Sequence, residues 1–588
     1  MAAISGEPRH REVASLFDKP CALGTLAADE DPFVGIHANT NVPILLGGAT
    51  RHEVTGETGL RLAVSNFFSL IVSTRSFAAG GSTHGEIWGA PLQLGATLGP
   101  GPVGTEHQES CVTHNMLKIA AKLLRWSADY QFADFTERAL LNSVLGTMRG
   151  DEPGALLYTL PLGAGVSKRD HQAWRTSERG GWAHEHSDLW CCSGTGIEAF
   201  AKLPEHVFAR RVAPSAVPEL DVLQYLPTTL TWPAAGARVD LDATDLSRAP
   251  PGEPLALSLR VAPTGGDAVR LSLVVRIAPW AWDGEPPSAT LNGEPLRIEA
   301  NASQLRLSRA WTAADVLRLR LWPTIRLEPA PDTRAPYAGL RAVFYGPLLL
   351  AGLAHESGVR RLRVGLSESP AAWLVPLPAE ARKQYVSVRE QVLGAGGAPA
   401  RAWVHAQGRL QLRAVEAAPP SERPFGGGGT NASAAATWRL QLAGEWGPAG
   451  AVLLEAYDRP GDFVAPSADG APLLLRSQPA AFWLRKPLSG APGATSFESV
   501  AQPGSYVSEL PRSAAVGAEP PSLGLARGDA SDAAFARVSS FRVGNATEAP
   551  PPLAFWARPR AGAGGGFLMY ALNEVLDERY SVYLELDR

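Results

Sequence analysis

Cysteine occurs four times in the 588 residues, and two of the four are adjacent: Cys191 and Cys192, in SDLWCCSGTG. Four thiols are too few for a disulfide framework. Neighbouring cysteines seldom bridge each other, because the ring they would close is strained. Three chemistries remain. They are buried small apolar residues, or a redox pair, although that chemistry normally separates its cysteines by two residues, or metal ligands with partners elsewhere in the chain. A partner pair stands in EHQESCVTHNMLK, where Glu109 precedes Cys111 by two residues. A Glu-x-Cys unit entering a helix can aim both side chains at one point. With Cys191 and Cys192 it would give three sulfurs and one carboxylate, ligand types that zinc accepts. The alternative is that Glu109 is a helix N-terminal charge and Cys111 a core thiol.

Two further stretches offer chemistry. In AAGGSTHGEIWGAP, residues 78–91, Glu86 is flanked by glycines and followed by Trp88. Glycines allow a backbone to approach a ligand, Trp88 offers a stacking face for a sugar ring, and Glu86 is a candidate general acid. The plainer reading is a loop glutamate beside a packed tryptophan. In GIHANTNVP, residues 35–43, His37 and Asn39 are candidates for hydrogen bonds to sugar hydroxyls, or are satisfied structural residues.

The elements that must position these residues change character along the chain. The first ~205 residues read as helical with long functional loops. NMLKIAAKLLRWSADYQFADFTERALLNSVLGTM places Met116, Ile119, Leu123, Leu124, Phe132, Phe135, Leu140 and Val144 at helical spacing. A break near Ser127–Asp129 predicts a helical hairpin. From about residue 206 the period shortens to that of strands, as in LALSLRVAP, VRLSLVVRIAPWAW and RAVFYGPLLLAGL, with Pro and Gly between them. Residues 206–330 predict a β-sandwich, and 331–485 a second β region with a flexible Gly-rich insertion at 424–437. Residues 486–588 hold short strands again. The formal net charge of -4 argues against nucleic acid as a partner. No apolar run reaches the ~20 residues of a membrane span, and the N-terminus has no apolar core of a signal peptide. Sequons stand at Asn301, Asn431 and Asn545.

FDKPC, HANTNVP, GGSTHGEIW, ESCVTHNMLK, ERALLNSVLG, YTLPLGAGVSK and LWCCSGTGIEAFAKL occur in that order. Together they resemble glycoside hydrolase family 127 (the DUF1680 family) in its plant-like branch, over residues 14–205. AVFYGPLLLAG at 342–352 matches the β region of that family. The C-terminal TSFESVAQPGSYV, AAFARVSSFRV, LAFWARP and YSVYLEL look like an arabinofuranosidase-B type β-trefoil. The resemblance implies a multidomain α + β chain: a partial (α/α)6 barrel at 1–205, β-sandwich domains, and a β-trefoil-like carbohydrate-binding domain at 486–588. Twelve barrel helices need ~300 residues or more, so the early helices of the barrel are expected to be missing.

The resemblance also implies a function, retaining hydrolysis of terminal β-L-arabinofuranosides. Glu109, Cys111, Cys191 and Cys192 would hold Zn2+, Cys191 would attack the anomeric carbon, and Glu86 would be the acid/base. His37, Asn39 and Trp88 would bind substrate, and the partners would be arabinofuranosyl oligosaccharides or glycoprotein side chains, in a secreted or cell-wall setting. His184 and His186 are extra ligands or, preferably, loop residues. The competing functions are an arabinose-binding protein with a degenerate barrel and a zinc-structured carbohydrate-binding protein. The oligomeric state is not legible.

Overall fold

The computed structural model describes residues 2–586 except 151–153, 170–180, 184–187, 189, 212–216, 354–362, 365–368, 379–383, 392–399, 407, 416–434, 458–461, 468–471, 512–519, 547–549, 559–566 and 577. His184, His186 and most of the 424–437 insertion therefore lie outside the described residues.

The helical part follows from its apolar spacing. In helix Thr58–Thr74, Val64, Phe67, Phe68 and Ile71 recur at three- and four-residue steps, and all are buried. They pack with Val42 and Leu45 of helix Ala38–Thr55 and with Met116, Ile119 and Leu123 of helix Ser110–Ser127 in one core. The expected hairpin is present. Helix Ser110–Ser127 ends at Ala128, whose φ is +57° and whose N–H reaches Leu124 O at 2.8 Å, and helix Gln131–Ala139 returns from it. Nine α-helical elements precede Phe208 among the described residues, short of the twelve of a complete (α/α)6 barrel. No helix among the described residues is long and apolar enough to cross a membrane.

From Phe208 onward the described residues are mainly strands, with short 3-10 turns and the helix Ala533–Val538 among them. A four-stranded and a six-stranded sheet face each other across one core. Strand Ala237–Ala243 turns Ala237, Val239 and Leu241 inward, and strand Leu255–Pro263 does the same with Leu255, Leu257, Leu259 and Val261.

The remaining strands depart from expectation. Twelve strands between Tyr385 and Asn545 form one hydrogen-bonded set. This set is inserted between strands Leu374–Pro376 and Ala554–Ala557, which pair directly with each other. Strands Ala554–Ala557, Phe567–Ala571, Arg579–Ser581 and Tyr583–Leu586 belong instead to a ten-stranded sheet with Leu340–Tyr345 and Leu348–Leu353. Residues 486–588 are thus divided between two sheets and do not fold as a unit of their own. Alternating apolar residues specify that a strand exists and which face it buries, but not which neighbour it joins.

The last strands also hold the site-bearing segment. Strand Val166–Ser167 pairs with Arg579–Ser581. Tyr580 Oη donates to Pro161 O at 2.6 Å, Lys168 Nζ donates to Leu572 O at 2.9 Å and Val575 O at 2.7 Å, and Ala78 N donates to Tyr583 Oη at 2.8 Å.

Candidate active site and metal centre

Two helix N-termini converge on the cysteines. Glu109 is the residue preceding helix Ser110–Ser127, and Cys111 lies in its first turn. Cys191 and Cys192 are the first two residues of helix Cys191–Ala201, and this helix packs on the first. Helix N-termini favour anions, so both frames support thiolate and carboxylate charge at the point where they meet. One ligand atom each from Glu109, Cys111, Cys191 and Cys192 lies within 4.8 Å of all the others. Cys111 Sγ is 2.9 Å from Cys192 Sγ, Cys192 Sγ is 3.4 Å from Glu109 Oε1, and Thr195 Oγ1 donates to Cys111 Sγ at 3.5 Å.

Burial divides the four. Glu109, Cys111 and Cys192 are buried, while Cys191 is exposed. Cys191 is lowered to about 5, chiefly by its hydrogen bond from Cys192 and then by that from Tyr158. Burial pushes Cys192 the other way, so the pair shares its ionisation unevenly, with the accessible sulfur as the thiolate. Burial, and then the charge of Glu86, lifts Glu109 to about 8.

The donor set fits a metal. Glu109 Oε2 is buried without a hydrogen-bond partner among the described residues, a costly state for a carboxylate. A cation would satisfy it together with three sulfurs that otherwise repel one another when ionised, and three sulfurs with one carboxylate is a set that zinc accepts.

Glu86 reaches the cluster by a strained loop. Gly85 and Glu86 are both left-handed, at φ +60° and +65°. At Gly81 an added Cβ would stand 2.1 Å from Gln108 Cβ, so only glycine lets this loop lie against the residue before Glu109. Thr83 pins the same contact, its O accepting from Gln108 N at 2.7 Å and its Oγ1 from Glu109 N at 3.0 Å. His37 Nε2 lies 3.3 Å from Glu86 Oε2, and Glu86 O accepts from Ala38 N at 2.9 Å.

One expected substrate contact takes another role. Trp88 is 0 % exposed, packed at ring-centroid distances of 5.1 Å on Phe33 and 5.6 Å on Phe67, with Nε1 donating to Ser82 Oγ at 3.1 Å. It offers no face to a sugar ring. A tryptophan beside glycines reads equally well as a stacking platform or as the apolar anchor of a loop, and here it is the anchor. Asn39 accepts at Oδ1 from Asn115 Nδ2 at 2.9 Å, tying helix Ala38–Thr55 to helix Ser110–Ser127.

One residue was not singled out from the sequence. Tyr158 Oη donates to Glu86 Oε1 at 2.5 Å and is 3.5 Å from Cys191 Sγ. It brings the candidate acid/base and nucleophile within two hydrogen-bond lengths of each other. Its backbone is set by Ser110 N, which donates to Tyr158 O at 3.2 Å, and by the antiparallel bridge of Glu109 with Thr159. The available signal was a phenol inside the largely apolar run Leu156–Leu162, next to Thr159.

Residues 1–205 match the family described as beta-L-arabinofuranosidase, GH127 catalytic domain. No curated protein matches the chain. A solved glycoside hydrolase superposes at a TM-score of 0.51 and 14% identity, over 100% of this chain and 74% of that one. A GH127 β-arabinofuranosidase superposes at 0.51 and 14% identity, over 100% of this chain and 67% of that one. A GH127 β-L-arabinofuranosidase from Geobacillus stearothermophilus T6 gives 0.44 at 15% identity, over 94% of this chain and 61% of that one. The first two share the fold of this chain.

Proposed function

We propose, from the premise that residues 1–205 belong to the GH127 glycoside hydrolase family, that the chain removes terminal β-L-arabinofuranosyl residues with retention of configuration. The observation that carries this reading is the single phenol of Tyr158 touching both Glu86 and Cys191 at the edge of the four-donor cluster. Cys191 Sγ, the accessible thiolate, forms a bond to the anomeric carbon as the glycosidic C–O bond breaks, and Glu86 delivers its proton to the leaving oxygen. Glu86 then takes a proton from water, whose oxygen displaces the sulfur from the same carbon. Two inversions give retention.

Glu109, Cys111, Cys191 and Cys192 would hold zinc. The bound ion would keep the sulfurs ionised and in place. Tyr158 orders Glu86 against Cys191, and His37 holds the other carboxylate oxygen. The carboxylate thus approaches the reacting carbon in one orientation, which lowers the entropic part of the barrier.

The test couples two measurements. Elemental analysis should find about one zinc per chain, lost in a Cys191→Ala/Cys192→Ala variant. A β-L-arabinofuranoside should release L-arabinose with wild-type protein and not with Glu86→Gln. Zinc without release would leave a metal-structured glycan-binding protein, and neither would remove the proposal.

A further inference from the structure

A cavity of about 650 Å³ opens where the helical part meets the strands, and it shares no residue with the cysteine cluster. One wall is the end of helix Thr58–Thr74 and the loop after it, from Val72 to Gly80. A second is helix Gln131–Ala139. The third comes from the strand region, through Trp280, Asp283, Arg326 and Glu328. The volume falls within the ~300–1,000 Å³ typical of small-molecule sites.

The polar groups of the cavity are fixed in advance. Arg138 forks onto Glu328 with two bonds of 2.7 Å, and Arg326 Nε reaches the same carboxylate at 3.3 Å. Both guanidiniums lie over the Phe344 ring, at 4.8 and 4.5 Å. Asp134 and Glu137 are held by Arg276, and Trp280 Nε1 donates to Glu137 Oε2 at 2.9 Å. At the rim, Asp283 and Gln131 are exposed: Gln131 Nε2 donates to Asp129 Oδ2 at 2.6 Å, and the Asp283 carboxylate makes no hydrogen bond or ion pair among the described residues. Phe77, Trp280 and the prolines at 279, 329, 331 and 347 supply apolar surface.

This combination selects a ligand class. The carboxylates of Asp134, Glu137 and Glu328 are each answered by an arginine, so a charged ligand would have to compete with ion pairs already made. A neutral ligand dense in hydroxyls competes with none of them. It can use the remaining lone pairs and N–H groups of immobilised planar side chains and lay its C–H faces on the prolines. We propose that this cavity is a second glycan site, taking a neutral oligosaccharide. Its Ala78–Gly80 wall belongs to the loop that carries Glu86, so a saccharide held there lies beside the segment bearing the acid/base. The proposal does not depend on the chemistry assigned to the cysteines.

The test is calorimetric titration of arabinotriose into the full chain carrying Glu86→Gln, which prevents consumption of the probe. We expect binding that persists when Cys191→Ala/Cys192→Ala is added, and that weakens at least about tenfold when Asp283→Ala and Gln131→Ala are added instead, the loss of one or two good hydrogen bonds. Both rim residues are exposed, so these variants leave the core intact. Three results would overturn the site: no binding of arabinotriose, binding that the rim variants leave unchanged, or tighter binding of the anionic trigalacturonate than of arabinotriose.

Discussion

Two of the buried polar clusters among the described residues solve the same problem differently. At the joint between helices and strands, Arg276 is fully buried, yet every charge has a partner within the chain. Its Nη2 reaches Glu137 at 2.6 Å, its Nε reaches Leu223 O at 2.7 Å, its Nη1 binds Asp134, and its face lies 4.9 Å from the Tyr225 ring. At the converging helix ends, Glu109 keeps one buried oxygen without a partner and the cysteines crowd together. A cluster that satisfies itself has no need of an ion. A cluster that cannot do so retains its donors for something the chain does not supply.

The sharpest break of that comparison is Cys191→Ala. It should lower L-arabinose release by about 10⁴-fold or more while the folded state persists, as loss of a covalent nucleophile does. Arg276→Met should do the reverse. It leaves Glu137 as an uncompensated buried carboxylate and Asp134, which is half-buried, without its arginine, costing about 3–5 kcal/mol in denaturant unfolding, while metal content per folded chain stays constant. Chelation comes next: stripping an ion held at a hundredfold excess over its Kd removes about 2.7 kcal/mol from the wild-type chain. The Cys191→Ala/Cys192→Ala variant should show no such response in its thermal midpoint. The smallest effect belongs to Tyr158→Phe, which deletes the phenol's contacts to Glu86 and Cys191 for a loss of about 1.4 kcal/mol and should slow turnover about tenfold. A Tyr158→Phe loss as large as that of Cys191→Ala would mean that the phenol itself takes part in proton transfer.

The four-donor cluster was legible in the sequence because its residue types are rare: three of only four cysteines, and a carboxylate two residues from one of them. The helical hairpin was legible because its apolar period is long and unbroken. Trp88 was misread because composition around a loop does not tell which way an indole points. Tyr158 was missed because a tyrosine among leucines carries no mark of polarity until Glu86 and Cys191 are seen against its hydroxyl. The assignment of 486–588 to one unit failed for a topological reason. Its strands are local in sequence, but their hydrogen-bond partners stand hundreds of residues away, as Tyr583 pairs with Ala342.

That last pairing has a consequence for how the protein is made. The segment 158–168, which carries Tyr158, is held by Tyr580, Ser581 and the carbonyls of Leu572 and Val575. A ribosome delivers those groups some 400 residues after the cysteines, so at ≈ 5–20 residues per second the thiols wait tens of seconds for their final surroundings. During synthesis the cysteine cluster therefore stands without Tyr158 fixed beside it until these strands join their sheet.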